Sequence, residues 1–262
     1  LKSKEFDCLS HGENILIPLP VGLNAKELQI IKIEKSDDLF ASRLAGGSIT
    51  TLKTKGHILI ITSPKINVLQ ILYGFFLKVY EFNQYKTHSK KSFKAITVAH
   101  LKFDSIKQEF KFFDSLLKGI YLCRDLVNEP ANILNTDEFA NRLEALESYG
   151  LKVDVLNQED LEEKGMRALL AVGQGSICPS KVVVIRWQGQ KKDNKPLILV
   201  GKGVVFDSGG ISLKSANGME EMTMDMGGAG VVAGTMKALA LRQCSANVIG
   251  LIGLVENMPD GG

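Results

Sequence analysis

Two lysines and two aspartates stand close together in a glycine-rich part of the sequence. Lys202, Asp207 and Lys214 fall within GKGVVFDSGGISLK, and Asp225 follows in MDMGG. Glycines let the backbone turn sharply, so charged side chains from separate turns can converge. Carboxylates beside lysines suit a divalent metal, with a lysine acting either as a neutral ligand or as a cation that polarises a carbonyl. The stretch therefore predicts a metal site.

Each of these residues also has an ordinary structural interpretation, which their types alone leave open. Asp225 precedes a predicted helix and could cap it, and Asp207 stands before Ser-Gly, where aspartate is common in turns. The two lysines could be surface residues. Met222 could fill a gap in a core rather than line a pocket.

Phosphate binding is the main chemical alternative for this stretch. A P-loop needs GxxxxGK[ST] and a dinucleotide fold needs GxGxxG. Phe206 stands where the third glycine belongs, and Leu213 precedes Lys214, so neither motif is present. A nucleotide could still bind where the helix starts, at Gly227 and Gly228.

Histidines and cysteines do not support other kinds of protease. All four histidines precede residue 101, none in an HExxH pattern, which disfavours a histidine-ligated zinc site. The four cysteines are scattered without a CxxC pair, which is typical of reduced thiols in a cytosolic protein.

Continuous apolar runs place the charged stretch after a buried strand. Runs at 182–185, 197–200 and 248–254 predict strands, and a glycine-rich helix is predicted from residue 225. Such runs are typical of strands buried on both faces of a largely parallel sheet. Because ligands bind beyond the carboxyl ends of such strands, we expect the residues after 200 to form the loop that carries the site.

The preceding residues predict a small α/β domain and a connecting helix. The predicted strands are at 15–19, 57–62 and 95–101, and a buried helix is predicted at 66–82. A helix with an apolar stripe is expected at 105–128, ending before Pro130. The next helix is expected to be capped by Thr136 and ended by Gly150, with a strand at 151–156. The predicted domains are 1–104, a connecting helix and linker at 105–134, and 135–262.

Composition argues against a nucleic-acid-binding protein and against a membrane-spanning one. The 262 residues are 45% hydrophobic and 23% charged, enough to bury a globular core. The net charge of +3 is far from the concentrated positive field that nucleic-acid binding usually needs, and we interpret the lysine-rich segment 86–94 as a solvated loop. The apolar stretch 71–77 is too short to span a bilayer, and we predict a cytoplasmic protein.

The glycine-rich stretch closely resembles the signature of the leucyl aminopeptidase family, peptidase family M17. The similarity continues upstream in RDLVNEPAN at 124–132 and LAVGQGS at 170–176, and downstream in VENMP at 255–259. It covers about half the chain, and the first hundred residues match only loosely. The resemblance implies that 135–262 is the metallopeptidase catalytic domain, truncated at its C-terminus.

The resemblance also implies a role for each residue. Lys202 and Asp225 would ligate one of two divalent ions, manganese or zinc, and Asp207 would bridge both. Lys214 would be the catalytic lysine, stabilising the oxyanion formed when a metal-activated water attacks the scissile carbonyl. Met222 would line the pocket for the first side chain of a peptide substrate with leucine-type preference. Intact family members are homo-hexamers and use bicarbonate as a base.

The family takes its remaining metal ligands from an NTDAEGRL-type segment beyond the ENMPDGG turn. The turn is present in this sequence, but the NTDAEGRL-type segment is not. The strand at 248–254 would also be left as an unpaired apolar edge, prone to aggregation. Two further functions stay open: a non-catalytic DNA-binding or regulatory role, and binding of a phosphate ligand.

The missing ligands predict an inactive chain. Two ions need more donors than Lys202, Asp207 and Asp225 supply. The purified 262-residue chain is therefore expected to hydrolyse leucyl peptides no faster than the buffer blank, with manganese or zinc added. Turnover well above the blank would contradict this expectation.

Overall fold

The computed structural model describes residues 4–33, 38–49, 56–63, 65–87, 95–190 and 195–260. The chain divides into two compact units, Leu1–Phe113 and Asp114–Gly262. The division falls within one long helix, and the domain limits drawn from the sequence stay a prediction. Most of the lysine-rich segment, residues 88–94, lies outside the described residues. In the described part of the chain, no helix combines the length and the apolar character needed to cross a membrane.

The first unit combines short strands with two packed helices. Its elements are α1 (Lys4–Asp7), β1 (Asn14–Pro18), β2 (Glu27–Ile31), α2 (Leu39–Ser48), β3 (His57–Ile61), α3 (Val68–Lys78), β4 (Ala95–Ala99) and the start of α4 (Phe103–Asn128). Strands β1 and β2 pair antiparallel, and β3 and β4 pair parallel. The three predicted strands and the predicted helix are confirmed, although α3 ends four residues early. The sequence missed β2 and α2.

Helix α3 forms because a cap and an apolar surface coincide. The side chain of Asn67 accepts a hydrogen bond from the Gln70 N–H, which satisfies one free donor at the helix start. Val68, Ile71 and Phe75 are buried, and α2 approaches so closely that a Cβ on Gly46 would overlap the α3 backbone. The close packing of the two helices requires small residues such as Gly46. Glycine has a low helix propensity, so these residues also made α2 hard to predict from the sequence.

The second unit is built on a four-stranded sheet. Its elements after α4 are α5 (Thr136–Glu144), a 3-10 helix (Ala145–Tyr149), β5 (Lys152–Leu156), α6 (Gln158–Glu163), α7 (Arg167–Gly173), β6 (Lys181–Gln188), β7 (Leu197–Asp207), a second 3-10 helix (Met219–Met224), α8 (Gly227–Leu241) and β8 (Asn247–Asn257). The strand order is β5-β6-β8-β7. The core holds Phe139, Val183, Ile185, Ile252 and Leu254, with Met226 and Met236 from the helical side.

The α/β class is confirmed, but the expectation of a mostly parallel sheet is wrong for these four strands. β5 pairs antiparallel with β6, and β6 pairs antiparallel with β8; only β7 and β8 run parallel. A continuous apolar run indicates that a strand is buried on both faces of the sheet. Such burial is possible for parallel and for antiparallel strands. The sheet is therefore mixed.

The predicted unpaired edge at 248–254 is also wrong. β8 is an inner strand, since it pairs with β6 on one side and β7 on the other. Within the described residues the edge strands are β5 and β7, and Leu197, Ile198 and Val200 of β7 are exposed. An apolar edge does exist, one strand away from the predicted place.

The cap of α5 differs from the prediction by one residue. Asn135, not Thr136, accepts the hydrogen bond from the Glu138 N–H, at 2.9 Å. Thr136 is the first helical residue and is buried. Gly150 ends the following 3-10 helix with φ 87°, as a residue without a Cβ readily does, so the predicted stop is confirmed.

Helices α4 and α8 cross at two glycines. A Cβ on Gly234 would overlap the carbonyl oxygen of Gly119, and a Cβ on Gly119 would overlap that of Gly234. The two helix backbones are therefore in contact at this point, and a larger side chain at either glycine would force them apart.

Substituting Gly234→Ala should destabilise the second unit. The added methyl forces the two helix backbones apart, and overpacking of this kind costs about 1–3 kcal/mol. The control is Gly227→Ala in the same helix, where a Cβ meets nothing within 4 Å. Denaturant unfolding should show a clear loss for Gly234→Ala and none for Gly227→Ala, and equal effects would rule out the crossing as the cause.

Candidate metal site

Strand β7 is longer than the sequence predicted and carries the first two candidate residues itself. It continues to Asp207, so Lys202 and Asp207 lie on a strand rather than in a loop. A Cβ on Gly201 would lie 2.8 Å from the Cα of Ala229 on α8, and one on Gly203 would lie 2.5 Å from the Gly253 carbonyl oxygen. These two glycines serve close packing instead of turning the chain.

Lys202 forms an ion pair with Asp225. The distance from Lys202 Nζ to Asp225 Oδ1 is 2.6 Å, and the side chains are 60% and 20% exposed. Asp225 directly follows the second 3-10 helix, and its N–H donates to the Met222 carbonyl. The capping position of α8 belongs to Met226, whose side chain makes no capping hydrogen bond, so Asp225 is not the cap of that helix.

Asp207 is held from three directions. Its Oδ2 accepts a hydrogen bond from Lys214 Nζ at 2.6 Å, and its Oδ1 accepts from the Gly209 N–H at 3.0 Å and from Asn257 Nδ2 at 2.7 Å. Burial raises the pKa of this carboxyl, but the hydrogen bonds from Lys214, Asn257 and Gly209 outweigh it together with the charge of Lys214. The pKa of Asp207 therefore lies below its ordinary value.

The turn after Asp207 brings Lys214 back to it. Gly209 and Gly210 both have positive φ, 94° and 62°, a conformation that glycine adopts without strain. The Lys214 N–H then donates to the Ser208 carbonyl at 2.9 Å, which closes the turn. Here the glycines act as turn formers, as the sequence predicted for the whole stretch.

The 3-10 helix Met219–Met224 is connected to both ion pairs. Lys214 Nζ also contacts Met222 Sδ at 3.1 Å, while Asp225, three residues further on, holds Lys202. The helix therefore contacts one ion pair through Met222 and leads directly into the aspartate of the other. The five residues singled out by the sequence thus form two contact groups, Lys202 with Asp225 and Lys214 with Asp207 and Met222.

The oxygens of the two aspartates fit a divalent cation in part. Asp225 Oδ2 is buried and accepts no hydrogen bond from the described residues, so this oxygen is a desolvated acceptor without a donor. Across the described ranges, no group of three or more His, Cys, Asp or Glu side chains is arranged to hold a metal ion. The residues present therefore fit part of a metal site.

One functional contact was missed by sequence reasoning. Asn257 was noticed only as part of VENMP, with no role, yet its side chain donates to Asp207. Fifty residues separate the two in the chain. The parallel register of β7 and β8, in which Asp207 lies opposite Asn257, brings them together.

The cysteines are all free, as the sequence predicted. Burial raises the pKa of the thiols of Cys123 and Cys178, so both remain protonated at neutral pH. Neither is prepared to act as a nucleophile.

Residues 121–262 match the description "Cytosol aminopeptidase family, catalytic domain". Curated relatives named "Probable cytosol aminopeptidase" occur in Cereibacter sphaeroides, with 47% identity over 99% of this chain, and in Dinoroseobacter shibae, with 46% identity over the whole chain. Each alignment covers 53% of the relative.

Two solved structures are similar to this chain over nearly its whole length. The bottromycin maturation enzyme BotP in complex with Mn is 27% identical, with a TM-score of 0.80 over 97% of this chain and 55% of that protein. The cytosol aminopeptidase from Coxiella burnetii is 28% identical, with a TM-score of 0.80 over 96% of this chain and 52% of its own.

The mixed α/β fold and the match over residues 121–262 define the class, an aminopeptidase-family catalytic domain. The chain belongs to the cytosol aminopeptidase family, peptidase family M17. It spans about half the length of the curated relatives it matches.

Acidification should weaken the fold through Asp207. A carboxyl with a lowered folded-state pKa stabilises the fold above its unfolded pKa, about 3.9, and this contribution is lost as pH falls through the folded-state value. The difference in unfolding free energy between the metal-free wild type and Asp207→Asn should therefore shrink below about pH 4.

Thermal unfolding measured from neutral to acidic pH tests this. Asp114→Asn is the control, because it removes a surface ion pair with Lys118, and such pairs contribute about 0–1 kcal/mol. If the difference in unfolding free energy between the wild type and Asp207→Asn stayed constant into strong acid, the lowered pKa of Asp207 would be contradicted.

Proposed function

We propose that this chain supplies part of the active site of a metal-dependent aminopeptidase, which releases residues from the amino termini of peptides. Lys202 and Asp225 would hold one divalent cation, and Asp207 would bridge it to a second. The observation that carries the proposal is the pairing of each aspartate with a lysine, Lys202 with Asp225 and Lys214 with Asp207, with Asp225 Oδ2 buried and unpaired within the described residues.

The cations proposed are manganese or zinc. One structural neighbour, BotP, is a complex with Mn, and carboxylate oxygens with an amine nitrogen suit either ion. When bound, such ions polarise a carbonyl and activate water for attack. Lys202 can donate its electron pair only as the neutral amine, so its ion pair with Asp225 must give up a proton when it becomes a ligand.

Lys214 would bind the scissile carbonyl oxygen and stabilise the negative charge that develops on it. Its ammonium is suited to this because Asp207 holds it in place at 2.6 Å, while 38% of the side chain stays exposed. Met222, in contact with the same ammonium, would line the pocket for the first side chain of the substrate, with leucine-type preference. An unbranched thioether adapts its shape readily to apolar side chains.

The remaining parts of the proposal follow from membership in the family. The free amino group of the substrate would bind a cation, which restricts cleavage to amino termini. Bicarbonate would serve as a base, a homo-hexamer would be the assembled form, and the protein would work in the cytoplasm, in keeping with the relatives' name.

Lys214 can be tested in a chimera in which residues 1–262 replace the matching region of the Cereibacter sphaeroides relative. The chimera should hydrolyse leucyl peptides with added manganese and lose this activity to a chelator. Lys214→Ala should lower kcat by about 10²–10³-fold, as expected when an oxyanion donor is removed.

The control is Lys152→Ala. Lys152 also faces an aspartate, Asp154, but on β5 and with 71% of its side chain exposed, so activity should be unchanged. A folded chimera without activity, or one that tolerates Lys214→Ala, would contradict the proposal.

A further inference from the structure

Asn257, the last residue of β8, holds the turn that follows Asp207. Its backbone carbonyl accepts hydrogen bonds from the Ser208 N–H at 3.0 Å and from Ser208 Oγ at 2.7 Å. Ser208 is buried, so these bonds are shielded from water. The start of the turn is therefore fixed to the end of the neighbouring strand.

The carboxamide of Asn257 fixes the Asp207 side chain as well. A carboxylate only accepts hydrogen bonds, so the group that faces Asp207 Oδ1 at 2.7 Å must be the Asn257 NH₂. Gly210 leaves room for the other end of the amide, because an added Cβ there would lie 2.5 Å from Asn257 Oδ1. The amide is thus held in one orientation, with its donor directed at Asp207.

This contact decides which oxygen of Asp207 remains for other partners. Asn257 and the Gly209 N–H both bind Oδ1, which leaves Oδ2 to meet Lys214. Without the amide, the carboxylate would regain rotational freedom about its side-chain bonds.

We infer that Asn257 is a positioning residue for Asp207, orienting its carboxylate for cation binding. The inference rests on the proposed function, in which Asp207 is a ligand. Hydrogen bonds to a ligating carboxylate restrict its orientation, and removing such a partner costs about 10–100-fold in metal affinity.

The adjacent residue provides a matched contrast. Glu256 lies next to Asn257 on β8, and successive side chains of a strand point to opposite faces. Glu256 accepts a hydrogen bond from Ser176 Oγ at 2.5 Å, and Ser176 Oγ accepts from the Cys178 N–H. It therefore fixes a different loop, which contains none of the proposed ligands.

The test is a manganese titration of the 262-residue chain, with free Mn²⁺ followed by electron paramagnetic resonance. Asn257→Leu keeps the branching at Cγ but removes the donor, and it should weaken manganese binding by about tenfold or more. Ser176→Ala removes the contact to Glu256 and should bind manganese like the wild type. Melting temperatures of both metal-free variants show that each is folded at the titration temperature.

Two further variants separate the inference from the proposed function. Asp207→Asn should weaken binding, and Asp154→Asn, on β5, should leave it unchanged. If the wild type binds no manganese, or if Asp207→Asn binds as well as the wild type, the proposed function fails and the inference with it. If Asp207→Asn weakens binding but Asn257→Leu does not, or if Ser176→Ala weakens it equally, only the positioning role is overturned.

Discussion

The parallel pairing of β7 with β8 is the constraint on which the site depends. It sets Lys202 opposite Gly253 and Asp207 opposite Asn257, with an irregularity in the register between Val204 and Asp207. A shift of one residue would turn every side chain of β7 to the other face of the sheet. The glycines make this pairing possible, because Gly201 admits α8 and Gly203 admits the backbone of β8. The charged side chains are thus placed by a sheet, which is more rigid than a loop.

Electrostatic compensation explains how two partly buried aspartates are tolerated at this edge. An ionised carboxylate that loses water must gain a cation or hydrogen-bond donors. Asp207 gains both, from Lys214, Asn257 and the Gly209 N–H. Asp225 gains Lys202 through one oxygen only, while the other stays buried without a donor among the described residues. The two acids therefore differ, and Asp225 is the one whose surroundings leave an acceptor available to a cation.

The sequence predicted which residues would meet, but not the elements that carry them. The motif spacing identified Lys202, Asp207, Lys214, Met222 and Asp225, and the structure pairs them. The strand was expected to end at 200, because the glycines that follow it are usually turn formers. Glycines that allow close packing look the same in sequence, and only the approach of α8 and β8 distinguishes them. The direction of each strand and the role of Asn257 depend on how strands that are distant in the chain pair with one another. A local sequence pattern does not contain that information.

Charge balance limits what this set of residues can hold. As two lysine–aspartate ion pairs, the site carries no net charge. Two divalent cations would bring four positive charges against the two negative charges of Asp207 and Asp225, and Lys214 would add one more. Even with Lys202 neutral, the site would hold a large positive excess, which a partly desolvated environment does not tolerate. A second cation therefore requires further anionic donors, whereas with a single cation the two carboxylates leave only the charge of Lys214 in excess.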